Sequence, residues 1–346
     1  MHAQKRLFYA LCLVLFSVTI LPSLSYAADG FIEGALGART QDDTTKSDSF
    51  NLVDLRFQVK GSYTPEVKEE WSPEVNFKGE LLLDGYNEHL LLLLREANLS
   101  FTPTDIIDVK LGRQTLTWGT GDLVFVNDLF PKDYISFFSG RDDEYLKRPS
   151  DALKFSIFAE LASFDIVLSP IMEANNSITG SRFSFYDGLS GATIGEAANR
   201  DFIEPEETVE NMELALRAYR TFGSFEGALY FFNGFYNEPR GILNAGLEQF
   251  FYPRLRVYGA SLRGPVLGGI GNIEAGYYDS REDPDGDKGN IENPAVKYLV
   301  GYTKDLGGDF SIGAQYLIEE MLEYSAYELN LGADEMQRDE FRHLIT

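Results

Sequence analysis

The chain has little cysteine, tryptophan, histidine or positive charge, and each shortage excludes a class of protein. The only cysteine is Cys12, inside an N-terminal apolar run, so neither disulfides nor cysteine-based metal sites can stabilise the remainder of the chain. Three histidines (His2, His89 and His343) and the absence of a Gly-x-Ser-x-Gly elbow leave hydrolytic catalysis almost without parts. Thirty Lys and Arg stand against 54 Asp and Glu, a net charge of -24, and nucleic acid needs the opposite sign. No window past the N-terminus holds the ~18 consecutive apolar residues of a spanning helix. If the mature chain crosses a membrane, it does so as strands.

What the chain does have begins with Lys5 and Arg6, followed by the apolar run Leu7 to Ile20 and a break at Pro22. Ser25-Tyr26-Ala27 carries small residues where signal peptidase needs them, so residues 1–27 are expected to be a signal peptide cut before Ala28. That leaves 28–346 as one unit. The whole chain holds 26 Phe, 19 Tyr and 32 Gly. Aromatic and glycine-rich composition with a polar balance suits an apolar outside and a polar inside.

The hydrophobic pattern has a period of two. Phe310, Ile312, Ala314, Tyr316 and Ile318 alternate with Ser311, Gly313 and Gln315, and Val296, Tyr298, Val300 and Tyr302 alternate with Lys297, Gly301 and Thr303. Asp305-Leu306-Gly307-Gly308-Asp309 joins them as a hairpin turn. Similar segments recur over roughly 30–39, 50–63, 73–84, 90–101, 106–118, 153–160, 164–168, 211–219, 225–232, 254–258 and 272–277, about thirteen strands in all, with a fourteenth opening at Glu340. Short turns near 103–105, 161–163, 222–224 and 305–309 alternate with long acidic loops near 119–150, 170–208, 233–248, 279–293 and 320–339. This is the arrangement of an all-β, transmembrane, antiparallel up-and-down barrel. Because Phe341 to Thr346 reads as an interrupted strand, the expectation is a piece of a larger barrel of about 16–18 strands.

Strand parity then nominates residues for the interior. Lys154, Glu160, Glu213, Arg217, Arg254, Arg256, Glu274 and Lys297 fall on the polar face of their strands. Arg95 and Arg113 share parity with apolar neighbours, which would aim both at lipid at a cost of ~2–4 kcal/mol near the midplane. A β-bulge between Gly112 and Thr115 would turn Arg113 inward to a carboxylate such as Glu96. Residues 119–151 follow Trp118-Gly119 and combine Phe125, Phe130, Tyr134, Phe137 and Phe138 with Arg141, Asp142, Asp143 and Glu144. So many aromatic rings in one loop are buried best by folding into the lumen as a constriction. Asp283, Asp285 and Asp287 have an alternating spacing seen in calcium loops, but no bidentate Glu stands at the required place, and a plain acidic loop is the favoured reading.

The stretch LREANLSFTPTDIIDVKLGRQTLTWGTGDLVFVNDLFPKDY, from Leu94 to Tyr134, resembles the alginate-export-like porins and related outer-membrane barrel porins of Gram-negative bacteria, as does the segment from Val257. Arg95, Glu96, Gly112, Arg113, Gln114, Trp118, Gly119, Asp128, Pro131 and Asp133 carry the match, over about a tenth of the chain. The resemblance implies passive export or uptake of a hydrophilic solute, such as a carbohydrate or polysaccharide, through a charge-lined lumen, and the missing catalytic and heme or metal motifs lead to the expectation of no cofactor and no enzymatic chemistry. Its partners would be outer-membrane lipid and the barrel-assembly machinery. The alternatives are a non-conducting structural barrel and a barrel-embedded lipid hydrolase.

Overall fold

A computed structural model describes residues 26–41, 43–65, 71–188, 190–196, 200–308, 310–332 and 337–346. The expected signal peptide lies outside the described residues except for its last two, which belong to the first strand. In chain order the strands are β1 (Tyr26–Ala38), β2 (Phe50–Tyr63), β3 (Glu74–Asp84), β4 (His89–Thr104), β5 (Ile107–Thr115), β6 (Pro149–Phe158), β7 (Ser163–Ser169), β8 (Phe185–Asp187), β9 (Ala192–Ile194), β10 (Asp201–Ile203), β11 (Glu213–Phe222), β12 (Phe225–Phe235), β13 (Gly241–Asn244), β14 (Gln249–Phe251), β15 (Arg254–Val266), β16 (Gly269–Ser280), β17 (Ala295–Gly307), β18 (Phe310–Met321) and β19 (Phe341–Ile345).

Fourteen of them form one antiparallel sheet in the order β1-β2-β3-β4-β5-β6-β7-β11-β12-β15-β16-β17-β18-β19. Every neighbour in the sheet is the neighbour in sequence once the small loop strands are set aside. β1 and β19 are its two edges, and no ladder closes them on each other among the described residues. The connections alternate in length. Two-residue turns such as Gly223-Ser224 and Leu267-Gly268 lie at one end, and Leu267 and Gly268 both have positive φ (49° and 76°), the backbone of a tight hairpin turn. Long segments lie at the other end, where β8 pairs with β9 and β14 pairs with both β10 and β13.

The two faces of the sheet differ in chemistry. One carries exposed apolar side chains along the whole meander, including Ile32, Val59, Leu92, Leu229, Ile273, Val300 and Ile312. The opposite face carries Asp54, Arg56, Gln58, Glu80, Asp165, Glu274 and Gln315, all nearly buried. All but Asp165, which Lys154, Ser156 and Arg217 surround, are buried because residues 116–148, between β5 and β6, lie on that face. This segment touches β2–β4 at one end and β12–β18 at the other. In a flat sheet β2 and β18 would be about 50 Å apart, eleven strand spacings, whereas a compact segment of this length is only about 20 Å across. The sheet therefore curls around the segment, with its apolar face outward. No helix among the described residues is long and apolar enough to cross a membrane.

Candidate constriction site

The inward segment is fastened to the late strands by one carboxylate. Glu274, on the inner face of β16, accepts hydrogen bonds from the Thr120 N–H, the Thr120 hydroxyl (2.8 Å), the Gly121 N–H (2.9 Å), the Asn127 N–H (3.0 Å) and the Asn127 side-chain amide (2.9 Å). Only 3 % of the residue's surface is exposed. Buried carboxylates are tolerated when their lone pairs are filled, and here backbone donors fill them. Gly119, at φ 75°, brings the chain over this carboxylate; a Cβ there would meet Glu274 Oε1 at 3.0 Å. On β18, Gln315 Oε1 accepts from the Asp122 and Leu123 N–H groups, and the Tyr278 hydroxyl donates to Val126 O. Apolar contacts seal the same stretch. Val124 and Val126 pack with Leu299 and Leu317, and Trp118 meets Phe130 edge-on at 5.0 Å and Tyr230 at 6.2 Å.

The other end is fastened to the early strands by arginines. Arg141 binds Asp54 on β2 through Nε (2.9 Å) and Nη2 (2.6 Å). The Tyr145 ring lies under the guanidinium groups of Arg56 on β2 (3.8 Å) and Arg95 on β4 (4.9 Å). Arg95 also donates to the Glu144 and Lys147 carbonyls, and Glu80 on β3 pairs with both Arg56 and Arg95. Lys78 reaches Glu144 at 2.7 Å.

Between these ends the segment has a core of its own. Asp128 accepts from Lys147 (2.9 Å) and the Thr117 hydroxyl (2.8 Å) and forms an ion pair with Lys132 (2.9 Å), and both ammonium groups lie over the Phe125 ring. Burial pushes the Asp128 carboxyl up, but the two lysines outweigh it and hold it below the usual aspartate range. Burial in turn pulls Lys132 below its ordinary value. Asp133 caps the short helix Tyr134–Phe138 by accepting from Ser136 N–H, and Pro131 O accepts from Arg148 N–H. Asp142 caps the next turn, Asp143–Leu146. Motif residues Trp118, Gly119, Asp128, Pro131 and Asp133 thus all serve to shape this one segment.

Beyond the segment, nearer the short turns, the inner face keeps charges of alternating sign. Lys154 on β6 and Arg217 on β11 flank Asp165 on β7 at 3.5 and 3.8 Å, and Arg217 reaches Glu226 on β12 at 2.8 Å. Glu213 shares this face and accepts from Phe235 N–H. Glu96 pairs across from Lys78 on the inner face. Between the segment and β16–β19 lies a cavity of about 540 Å³ whose lining includes Phe125, Phe137, Tyr236, Arg240, Lys297 and Glu319.

Several expectations from the sequence require correction. The bulge lies in β4, not β5: the β3–β4 ladder pairs Lys78 with Glu96 and Gly79 with Leu94, leaving Arg95 as the extra residue. That bulge turns Arg95 inward. The β5–β6 ladder runs through Gly112–Thr115 without a shift and the β4–β5 ladder reaches Arg113 unshifted from Leu111, so Arg113 keeps the outward parity of Leu111 and pairs with Glu173 (3.0 Å) and Asp151 (3.3 Å), not with Glu96. Gly112, at φ 116°, is needed because a Cβ would collide with Ala97 O. Arg254 and Arg256 face outward. Their neighbours Leu255 and Val257 take the inner face, because there the wall must receive Trp118 and Phe130 and is apolar. Gln114 is on the inner parity but fully buried, donating to backbone carbonyls of Gly112 and Ala152, and so presents nothing to a lumen. In the acidic loop, Asp283 accepts from the Asp287 and Lys288 N–H groups.

Sequence reasoning missed Asp54, Arg56, Gln58 and Glu80. Three of these sit at alternate positions of β2, a run of polar residues on one parity that marks where something polar must land.

No protein-family profile matches the chain, and no curated protein matches it. Among solved structures it is similar to an outer membrane protein of Vibrio cholerae, OmpT with loop L8 deleted (11 % identity, 87 % of this chain and 83 % of that one, TM-score 0.45). It is similar to Salmonella typhi OmpF in complex with daunomycin (9 %, 90 % and 81 %, TM-score 0.47) and to a mutant of the Rh. blastica porin (8 %, 86 % and 90 %, TM-score 0.40). These are likenesses of shape at low identity.

Proposed function

We propose that this chain is an outer-membrane channel that passes hydrophilic solutes through an interior narrowed by residues 116–148. One observation carries the reading: an antiparallel meander with an apolar outer face and a charged inner face curls around a segment latched to both walls. Water would not tolerate the outer face, and lipid would not tolerate the inner one. The Lys154–Asp165–Arg217–Glu226 ladder supplies charges of both signs at close quarters, as suits polar solutes in transit. Export through a cleaved leader, and insertion by the barrel-assembly machinery, belong to this reading. A carbohydrate or polysaccharide as the solute rests on the sequence resemblance alone, and no catalytic role is proposed.

The test is single-channel recording of the purified full chain in planar bilayers, with liposome swelling in sugars of increasing size. Discrete conductance steps that enlarge when the Arg141–Asp54 latch is removed support the channel. A protein that inserts but never conducts is a structural barrel, the second reading.

A further inference from the structure

The outward placement of Arg254 and Arg256 needs an explanation that a channel interior does not give. Both stand on the lipid-facing parity of β15, at its long-loop end. Below them on the same face, Phe231, Tyr258 and Tyr277 form a row across β12, β15 and β16. Phe231 and Tyr258 have centroids 5.4 Å apart, and Tyr258 and Tyr277 stack at 6.5 Å. Aromatic rows of this kind mark the level where acyl chains give way to headgroups. Arg256 lies two residues beyond Tyr258 and Arg254 four, about 7 and 13 Å further along the strand, which is headgroup depth.

The two guanidinium groups are positioned without being neutralised. Arg254 donates to the side-chain oxygen of Asn211, and Arg256 Nε to that of Asn233 (3.4 Å). Both partners are uncharged amides. The carboxylate across the ladder from Arg256 is Asp279, and Arg281 holds it at 3.1 Å. The patch formed by Arg254, Arg256, Arg281 and Asp279 therefore carries two surplus positive charges. Most of the described arginines pair with a carboxylate, and in a chain of net charge -24 Arg254 and Arg256 are held by amides instead.

We propose that Arg254 and Arg256 form a binding site for the phosphate of a membrane lipid, whose acyl chains begin at the level of the Phe231–Tyr258–Tyr277 row. A guanidinium fork matches phosphate geometry, and the two asparagines hold the forks while leaving terminal N–H groups to donate. The site rests on the membrane reading and extends it to a specific lipid contact.

The experiment is native mass spectrometry of the full chain in a maltoside detergent. Phosphatidylglycerol is added in one arm, a phosphate-free galactosyl diacylglycerol in a second and inorganic phosphate in a third. The site predicts phosphatidylglycerol adducts that weaken about ten-fold in Arg254→Gln/Arg256→Gln. It also predicts no such effect in Arg220→Gln, an outward arginine at the opposite end of the sheet. Equal binding of the galactolipid, retention of inorganic phosphate alone or indifference to the double substitution overturns the proposal. Circular dichroism of each variant confirms that the sheet is intact. A chain that inserts into liposomes of both lipids with equal adducts sinks only the phosphate site, whereas one that inserts into neither sinks the membrane reading itself.

Discussion

Glu274 Oε2 and the Asn127 N–H are 3.0 Å apart although the residues are separated by 147 positions in sequence. This bond, with its companions to Thr120 and Gly121, fixes the inward segment against the late strands. Glu274→Ala should free the segment there, since hydrogen bonds to a charged group each contribute about 1.5–3 kcal/mol. Glu274→Gln should do nearly as much damage, because its amide nitrogen faces N–H donors. The readout is Trp118 emission in a Trp71→Phe background, where Trp118 is the only indole. A shift to longer wavelength with unchanged β-sheet dichroism is expected, and larger conductance steps should accompany it. An unchanged spectrum would show that Glu274 is not the latch.

The same latch can be opened from the wall. A Cβ at Gly259 would collide with Asn127 Oδ1. Gly259→Ala on β15 should therefore displace the segment while leaving the ladders of β15 intact. Trypsin susceptibility at Lys132 and Lys147, compared with the parent chain, measures it. Equal protection would contradict the close approach.

Asp54 and Asp84 face each other across the β2–β3 ladder, and two different loops supply their partners: Arg141 binds Asp54, and Arg182 binds Asp84. Removing one partner of a buried pair costs ~3–5 kcal/mol, since it strands a charge. Here the stranded carboxylate also faces a second carboxylate. Arg141→Ala and Arg182→Ala should each destabilise, and the double variant by more than their sum. Adding Asp54→Asn to Arg141→Ala should restore part of the loss. Additive midpoints in urea unfolding would show the two latches to be independent.

Deleting Arg95 should leave the sheet able to fold, because the residue is the bulge and its loss makes the β3–β4 register continuous. The Tyr145 clamp should weaken, with Arg56 alone left on the ring and the early end held by Arg141–Asp54 and Lys78–Glu144. Retained resistance to unfolding in detergent, combined with higher conductance, is the expected pair of results. Loss of the folded sheet would refute this role for the bulge.

Acid should loosen the segment within a defined window. Asp128 is held below its ordinary value, so its contribution is complete above the unfolded aspartate value of about 3.9 and is lost as pH falls through the folded value. Asp43, held down to about 2 by the Ser184 and Thr45 hydroxyls, adds a second acid-labile contact, from the β1–β2 loop. Trp118 emission should be flat from pH 7 to about 5 and change below about 4. Asp128→Asn should show the change already at neutral pH. A transition centred above pH 5 would assign it to another group.

The alternation of the outer face was legible in the sequence because the outward positions obey a single rule. Val296, Tyr298, Val300 and Tyr302 read directly as a strand, as did Ile312 and Tyr316. The inner face followed two rules, and one of them was invisible. Where Lys154, Arg217 and Glu274 point inward, polarity gave the right parity. At Leu255 and Val257 the wall meets Trp118 and Phe130, so the apolar residues are the inner ones and Arg254 and Arg256 were assigned to the wrong side. The slip between Leu111 and Trp118 was read as a bulge at Gly112 to Thr115, but it marks where β5 ends and the inward segment begins, and the bulge at Arg95 was not read from the pattern. The pairing of Lys78 with Glu96 places it, and cross-strand register is not written in any one strand.

The inward segment is made early in the chain, yet half of its attachments lie on β15–β18. The meander can zip strand by strand, each one finding the neighbour just formed, but Thr120, Gly121 and Asn127 have no acceptor until Glu274 arrives. Until then their N–H groups and the rings of Trp118 and Phe130 stay open to whatever surrounds them. Seating of this segment is therefore a closing event in the maturation of the protein, and a half-built wall is also an unblocked one.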